Sequence, residues 1–216
     1  MSNNDVALNE SGSTASTPSL VKPVHVQIAR HISNFLSPFA VSLPCVFLIA
    51  LYHAPMRGQA VFYAFVTLFF MSVGPLLYII IGVRLGKFTD IDVSVRSQRT
   101  WPFVFGLGSA LVGLFILALT RGSRNLETLL LITILSGIIM MIITLWWKIS
   151  LHASSVAGAA TLLTAFYGTI MLPTFLLVIA VAWSRVVLRR HTIAQVTVGT
   201  ILSIVLTMLI FTLRNI

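Results

Sequence analysis

Between Trp183 and Gln195 the chain reads WSRVVLRRHTIAQ, three arginines and a histidine set between two long apolar runs. Ionisable groups at such a boundary are either solvated anchors or working parts. Ser184, Leu188, His191 and Gln195 stand at i, i+4, i+7 and i+11, so a helical segment would align them along one stripe. A histidine with an amide one turn away and an arginine nearby has the makings of a nucleophile, an orienting group and an anion clamp.

The composition bounds what such a group can serve. Hydrophobic residues make up 57% of the 216 residues, charged residues 9%, and the mean hydropathy is +1.00. A soluble domain carries roughly 25% charged residues, so the composition is that of an integral membrane protein. Cys45 is the single cysteine and lies in an apolar run, which excludes a disulfide framework and a cysteine metal cluster. The formal charge of +9 is scattered over the ends of apolar segments and forms no solvated basic patch, so membrane topology accounts for it better than nucleic acid. Residues 1–22 are rich in Ser, Asn and Thr, with no basic stretch leading into an apolar one. They read as a disordered tail ahead of one membrane-embedded domain, 23–216, and not as a cleavable signal.

The elements that must position the motif are apolar segments of bilayer-crossing length. They are read at 34–52, 58–83, 102–119, 128–147, 153–171, 174–189 and 192–213, an all-α polytopic bundle of six to seven transmembrane helices. Ahead of them Ile28, Ile32, Phe35 and Leu36 repeat at helical spacing, which predicts a short interfacial helix. The stretch between His152 and Ser184 decides the topology. As one helix it would be about 46 Å long, too much for a core of about 30 Å, whereas a split at Leu172 and Pro173 makes it a hairpin with Pro in a first helical turn.

The hairpin puts the loops 84–101, 148–152 and 185–192 on the side of the N-terminus. Trp101, Trp146, Trp147 and Trp183 fall at the same interface, as aromatic belts prefer. Lys22, Arg30, Arg84, Lys87, Arg96, Arg99, Lys148, Arg185, Arg189 and Arg190 lie on that side, and Arg57, Arg121, Arg124 and Arg214 opposite. Ten against four favours a cytoplasmic N-terminus, and hence a multi-pass protein of a cell's inner membrane with its site near the cytoplasmic face.

The run SRVVLRRHTIAQ resembles the SRxxxxxHxxxD signature of the type 2 phosphatidic acid phosphatase superfamily, with Ser184, Arg185 and His191 matching in identity and spacing. The resemblance implies that Arg185 binds phosphate and that His191 attacks phosphorus to give a phosphohistidine. Gln195 stands where the family usually has Asp, although some dolichyl diphosphatases look similar with a glutamine here. An amide oxygen still accepts the imidazole N–H and sets its tautomer, without a charge to stabilise the imidazolium.

KISLHA, Lys148 to Ala153, looks like a degenerate PSGH motif that keeps Ser150 and His152 but has Ile149 for Pro and Leu151 for Gly. By the resemblance, Ser150 donates to a phosphate oxygen and His152 protonates the leaving group. GKFTDIDVSVRSQRTWPF is the least faithful counterpart, of a KxxxxxxRP pattern: Lys87 precedes Arg96 by nine positions, and Thr100 follows Arg99. Arg96 and Arg99, at i and i+3, would share a helical face and hold a phosphate between them. Asp90 and Asp92 are unexpected in a mechanism that uses no metal; they orient those arginines or bind Mg²⁺ accompanying a diphosphate.

Together the resemblances imply a membrane phosphohydrolase, without metal or other cofactor, acting on a lipid phosphate or isoprenoid diphosphate. Lys87, Lys148, Arg96, Arg99 and Arg185 would hold the phosphate, with Asp90, Asp92 and Ser184 behind them. Two other classes compete with it. An intramembrane prenyltransferase needs two aspartate-rich motifs, and the whole chain has five acids. A phosphatase-like protein that binds lipid without turnover is suggested by Leu151, Gln195 and the altered first cluster.

Overall fold

The computed structural model describes residues 23–215; the tail expected at 1–22 lies outside them, as does Ile216. The described residues are helical, with no strand among them. Helix α1 is Val24–Phe35 and α2 is Pro38–Leu51, with Ser37 capping α2 through its side chain and Pro38 at the first helical position. α3, Arg57–Leu68, passes through a π turn at Phe69–Val73 into α4, Gly74–Arg84. α5 is Thr100–Leu119 and α6 is Arg124–Trp146. α7, Leu151–Tyr167, is followed by a 3₁₀ turn at Gly168–Thr174 and α8, Phe175–Val187; α9 is Ile193–Leu213.

Five continuous helical stretches are long and apolar enough to cross a membrane, or six if α1 and α2, bent by 44° at Leu36 and Ser37, act as one. Large apolar side chains such as Phe62, Phe65, Leu111, Phe115, Leu176 and Ile179 stand exposed around the bundle. A surface so apolar is compatible with a multi-pass membrane protein. The core beneath it is dense, with Val46, Ile49, Leu117, Leu126 and Leu130 wholly inaccessible.

A helix, α1, stands where the interfacial one was expected, but a different face of it is sheltered. Ile28 and Phe35 point outward, whereas Ala29 and Ser33 are buried where α1 packs along α8. Small residues allow that close approach. The segment expected at 34–52 is interrupted at Leu36 and Ser37, and α2 begins at Pro38.

The 37-residue stretch Leu151–Val187 is helical throughout by local geometry, yet its two ends meet: His152 and Arg185 both approach Asp92. The chain therefore folds back on itself, and α7 packs against α8. The hinge is at Gly168, with φ +76°, a conformation open to glycine at no steric cost. Pro173, expected to mark the break, instead lies inside the 3₁₀ turn, two residues ahead of α8.

α9 then packs along α7, and Gly199 lies at a close approach between them. A Cβ at that position would stand 3.0 Å from the Ser150 carbonyl oxygen, and the Ser154 hydroxyl donates to the Gly199 carbonyl at 2.9 Å. At the far end of the bundle Arg214 pairs with Glu127 at 3.1 Å, tying α9 to α6.

Candidate functional site

Arg185 and His191 are placed by one turn. α8 ends at Val187, Arg189 takes φ +52°, and the backbone N–H groups of Arg190 and His191 both donate to the Arg185 carbonyl at 3.0 and 3.3 Å. This is a Schellman-type ending, and it fixes the histidine's backbone to the arginine's. The single helical stripe through Ser184, Leu188, His191 and Gln195 is therefore interrupted. Ser184 is buried and its hydroxyl donates to the Val181 carbonyl at 2.8 Å within α8, leaving it no part in the cluster.

Immediately afterwards Thr192 caps α9 in a capping box with Gln195. The Gln195 Oε1 accepts the Thr192 N–H at 3.2 Å and lies 3.1 Å from His191 Nδ1. Because a backbone N–H only donates, the atom facing it is the amide oxygen. Nδ1 must then carry the imidazole proton, and the lone pair is left on Nε2. Burial pushes the His191 pKa down to about 3, with Arg185, Lys148 and Arg99 acting in the same direction and the Gln195 bond against it. The ring is neutral near pH 7, as a nucleophile must be.

Arg185 is 3% exposed and reaches out of α8 to two partners. Its Nη1 donates to the Ser33 hydroxyl of α1 at 2.7 Å and to Asp92 Oδ2 at 3.0 Å, while its buried Nε has no partner among the described residues. Asp92 Oδ1 lies 3.9 Å from His152 Nε2. Burial alone would raise the Asp92 pKa, but His152, Arg185 and Arg190 outweigh it and hold the carboxyl below its usual range. Arg99, 4% exposed, donates from Nε to the Val93 carbonyl at 2.9 Å and from Nη1 to the Ile149 carbonyl at 3.2 Å. It thus staples the loop after α4 to the segment before α7.

Asp92, Arg99, His152, Arg185 and His191 line the polar end of one cavity of about 340 Å³. Two buried guanidiniums face a single carboxylate there, an excess of positive charge that a bound anion would offset. Lys148 is half-buried nearby; burial lowers its pKa first, then Arg99, Arg185 and Arg190.

The other expected residues stand elsewhere. Arg96 does not share a phosphate face with Arg99: it donates to the Leu145 carbonyl at 2.6 Å, capping the end of α6, because residues 96–98 form a 3₁₀ turn ahead of α5. Lys87 is exposed and away from the cavity. Ser150 is wholly buried as the N-cap of α7, accepting the Ala153 N–H at 3.4 Å, while its own N–H donates to the Gln195 carbonyl. Asp90 is occupied inside its own loop, accepting from Thr89 and from the Ser94 backbone and hydroxyl. Asp92 orients Arg185, not the arginines 96 and 99 expected for it.

Two partners escaped the sequence reading. Ser33 lies 152 positions from Arg185, with no motif to mark it. Arg190, counted in the sequence only among the charges that set topology, donates to the Ser94 hydroxyl at 2.7 Å and ties the histidine turn to the aspartate loop.

Fold and site together define an all-helical protein whose apolar helices have membrane-crossing length, with a buried arginine and histidine cluster opening into an apolar cavity. Compared with protein-family models, curated proteins and solved structures, the chain has no match.

Proposed function

We propose that the chain is a membrane phosphohydrolase of the type 2 phosphatidic acid phosphatase kind, removing phosphate from a lipid phosphate or isoprenoid diphosphate near the cytoplasmic face of a membrane. The observation that carries the reading is the neutral His191, held through Nδ1 by Gln195, in the same cavity as the guanidiniums of Arg185 and Arg99. In this mechanism His191 Nε2 attacks phosphorus in line. The bond from phosphorus to the leaving oxygen breaks, and that oxygen takes a proton from solvent relayed through the His152 ring. Water then attacks the phosphohistidine, His152 takes its proton and returns it to solvent, and the phosphorus–nitrogen bond breaks to release phosphate and His191. Arg185 and Arg99 stabilise the equatorial oxygens.

The test is phosphate release from a panel of lipid phosphates and diphosphates by the protein in nanodiscs. Activity is expected to persist in EDTA and to be blocked by vanadate, which mimics pentacoordinate phosphorus. Strict dependence on Mg²⁺ for the chemical step would replace this mechanism with a metal-assisted one.

A narrower result is expected at Gln195. Gln195→Leu removes the bond that orients His191 and should lower kcat by about 10²-fold with little change in KM, since a misplaced nucleophile loses mainly transition-state stabilisation. Gln195→Asp is expected to keep turnover, because a carboxylate accepts the same two N–H groups. Unchanged kcat in Gln195→Leu would mean that the side chain only caps α9. A second reading, lipid binding without turnover, is favoured by the burial of Ser150 and its commitment to the α7 cap. No phosphate release from any member of the panel would select it.

A further inference from the structure

The cavity extends well beyond its charged end, and its walls are regular. On α7 it is lined by Leu151, Ser155, Gly158, Ala159 and Leu162, and on α6 by Met140, Gly137, Thr133, Ile132 and Leu129. Both sets are single helical stripes, and both run eleven residues, so the cavity is about 16 Å deep. α2, the π turn, α4, α5 and Ser203 of α9 supply the remaining walls, with Ala110 of α5 near the bottom.

Beneath Leu129, Ala110 and Leu162 the space is filled. Val46, Ile49, Leu117, Leu126 and Leu130 are all fully inaccessible and pack into one cluster with these three. The cavity is therefore closed at that end: charged at the Arg185 end, mostly apolar along its length and plugged at the other end. Hydroxyls interrupt the apolar walls at Ser42, Ser72, Thr133, Ser155 and Ser203, and that of Ser136 is buried at the lining with no partner among the described residues.

We infer that this cavity is a ruler for one hydrocarbon tail, selecting single-chain phosphates or phosphonates whose tail extends to about a dozen bonds. An extended chain advances about 1.2 Å per bond, the rate of an extended peptide backbone, so the 16 Å depth takes roughly thirteen bonds. A medium alkyl or short prenyl chain fits that depth; a longer chain must buckle against the plug or leave part of itself outside. The inference rests on the anion-binding reading of the Arg185 end but not on turnover.

The test uses n-alkylphosphonates from C8 to C18, which keep the anionic head and cannot be hydrolysed, competing with radiolabelled dodecylphosphonate for the protein in nanodiscs. Competitors are compared at equal mole fraction in the bilayer, where chain length by itself gives no advantage. Affinity is expected to be nearly constant to about C12 and to fall at least tenfold by C18. Ala110→Phe, which raises the floor, should move the fall several carbons shorter; Leu162→Ala, which lowers it, should move it longer. Melting temperatures of both variants show whether each is folded, and either shift alone suffices. Constant affinity out to C18 would overturn the ruler in favour of a groove open to lipid. Failure of every phosphonate to displace the label would overturn both the ruler and the anion site. A clear chain-length limit in a protein that releases no phosphate would support the ruler and sink the hydrolase reading.

Discussion

His191→Gln is expected to abolish phosphate release, lowering kcat by about 10³-fold or more, because no other side chain on the same turn supplies a nucleophilic nitrogen. Glutamine keeps a polar group of similar length beside Gln195, so the turn from Arg185 to Thr192 should remain intact. The histidine's backbone N–H, not its ring, makes the bond to the Arg185 carbonyl. Two measurements check the result: turnover on the best lipid substrate, and binding of a non-hydrolysable alkylphosphonate. Lost turnover with retained phosphonate binding places His191 in the chemistry and not in the anion clamp. Turnover within tenfold of wild type would remove it from the chemistry.

The acid side of the pH profile separates this site from one run by an ordinary histidine. With its pKa pushed to about 3, His191 in the free protein stays neutral down to far lower pH than the usual 6.5. The acid limb of kcat/KM should therefore not break near 6.5 through His191. The sign for stability follows from the same shift. A histidine whose folded pKa lies below its unfolded value favours the folded state fully above about 6.5, and that contribution is lost as pH falls from there toward 3. His191→Gln should accordingly flatten part of the acid loss in thermal stability. A profile that breaks at 6.5 and moves with this substitution would show that the ring is not held neutral.

The sequence carries the bundle and much of the site, for reasons that differ by residue. Apolar runs and capping residues are local signals, so α5, α6 and α9 lie close to where hydropathy sets them, and Thr192 with Gln195 is a capping box that can be read directly. The meeting of His152 with Arg185 follows from length alone, since a stretch too long for one bilayer crossing must turn back. Its hinge is harder to read. Pro173 is compatible with a helix start, but reversal needs a positive φ, and Gly168 meets that need without a Cβ. Arg96 and Arg99 separate because i and i+3 share a face only inside an α-helix, whereas Arg96 sits in a 3₁₀ turn. Asp92 and Ser33 were out of reach as partners of Arg185, because their contacts exist only after α1, the aspartate loop and α8 have packed together.

Arg185→Lys is expected to lower kcat/KM by about 10²- to 10³-fold, although it keeps the charge. The guanidinium is asked for several bonds at once. Nη1 serves Ser33 at 2.7 Å and Asp92 at 3.0 Å, and Nε–H is buried with no acceptor among the described residues. A lysine ammonium is a single centre on a flexible stem. It can pair with Asp92 or with phosphate but cannot span both and Ser33 as a planar fork does. In this variant Asp92 therefore competes with the substrate for the one remaining cation. Adding Asp92→Asn removes the competitor, and the double variant should recover part of the lost affinity, seen as a lower KM than Arg185→Lys alone. In the wild-type background the same Asp92→Asn change leaves Arg185 without its carboxylate and should not improve kcat. A double variant no better than Arg185→Lys would show that Asp92 does not compete for the phosphate position and that its bond serves only to hold Arg185 against α1.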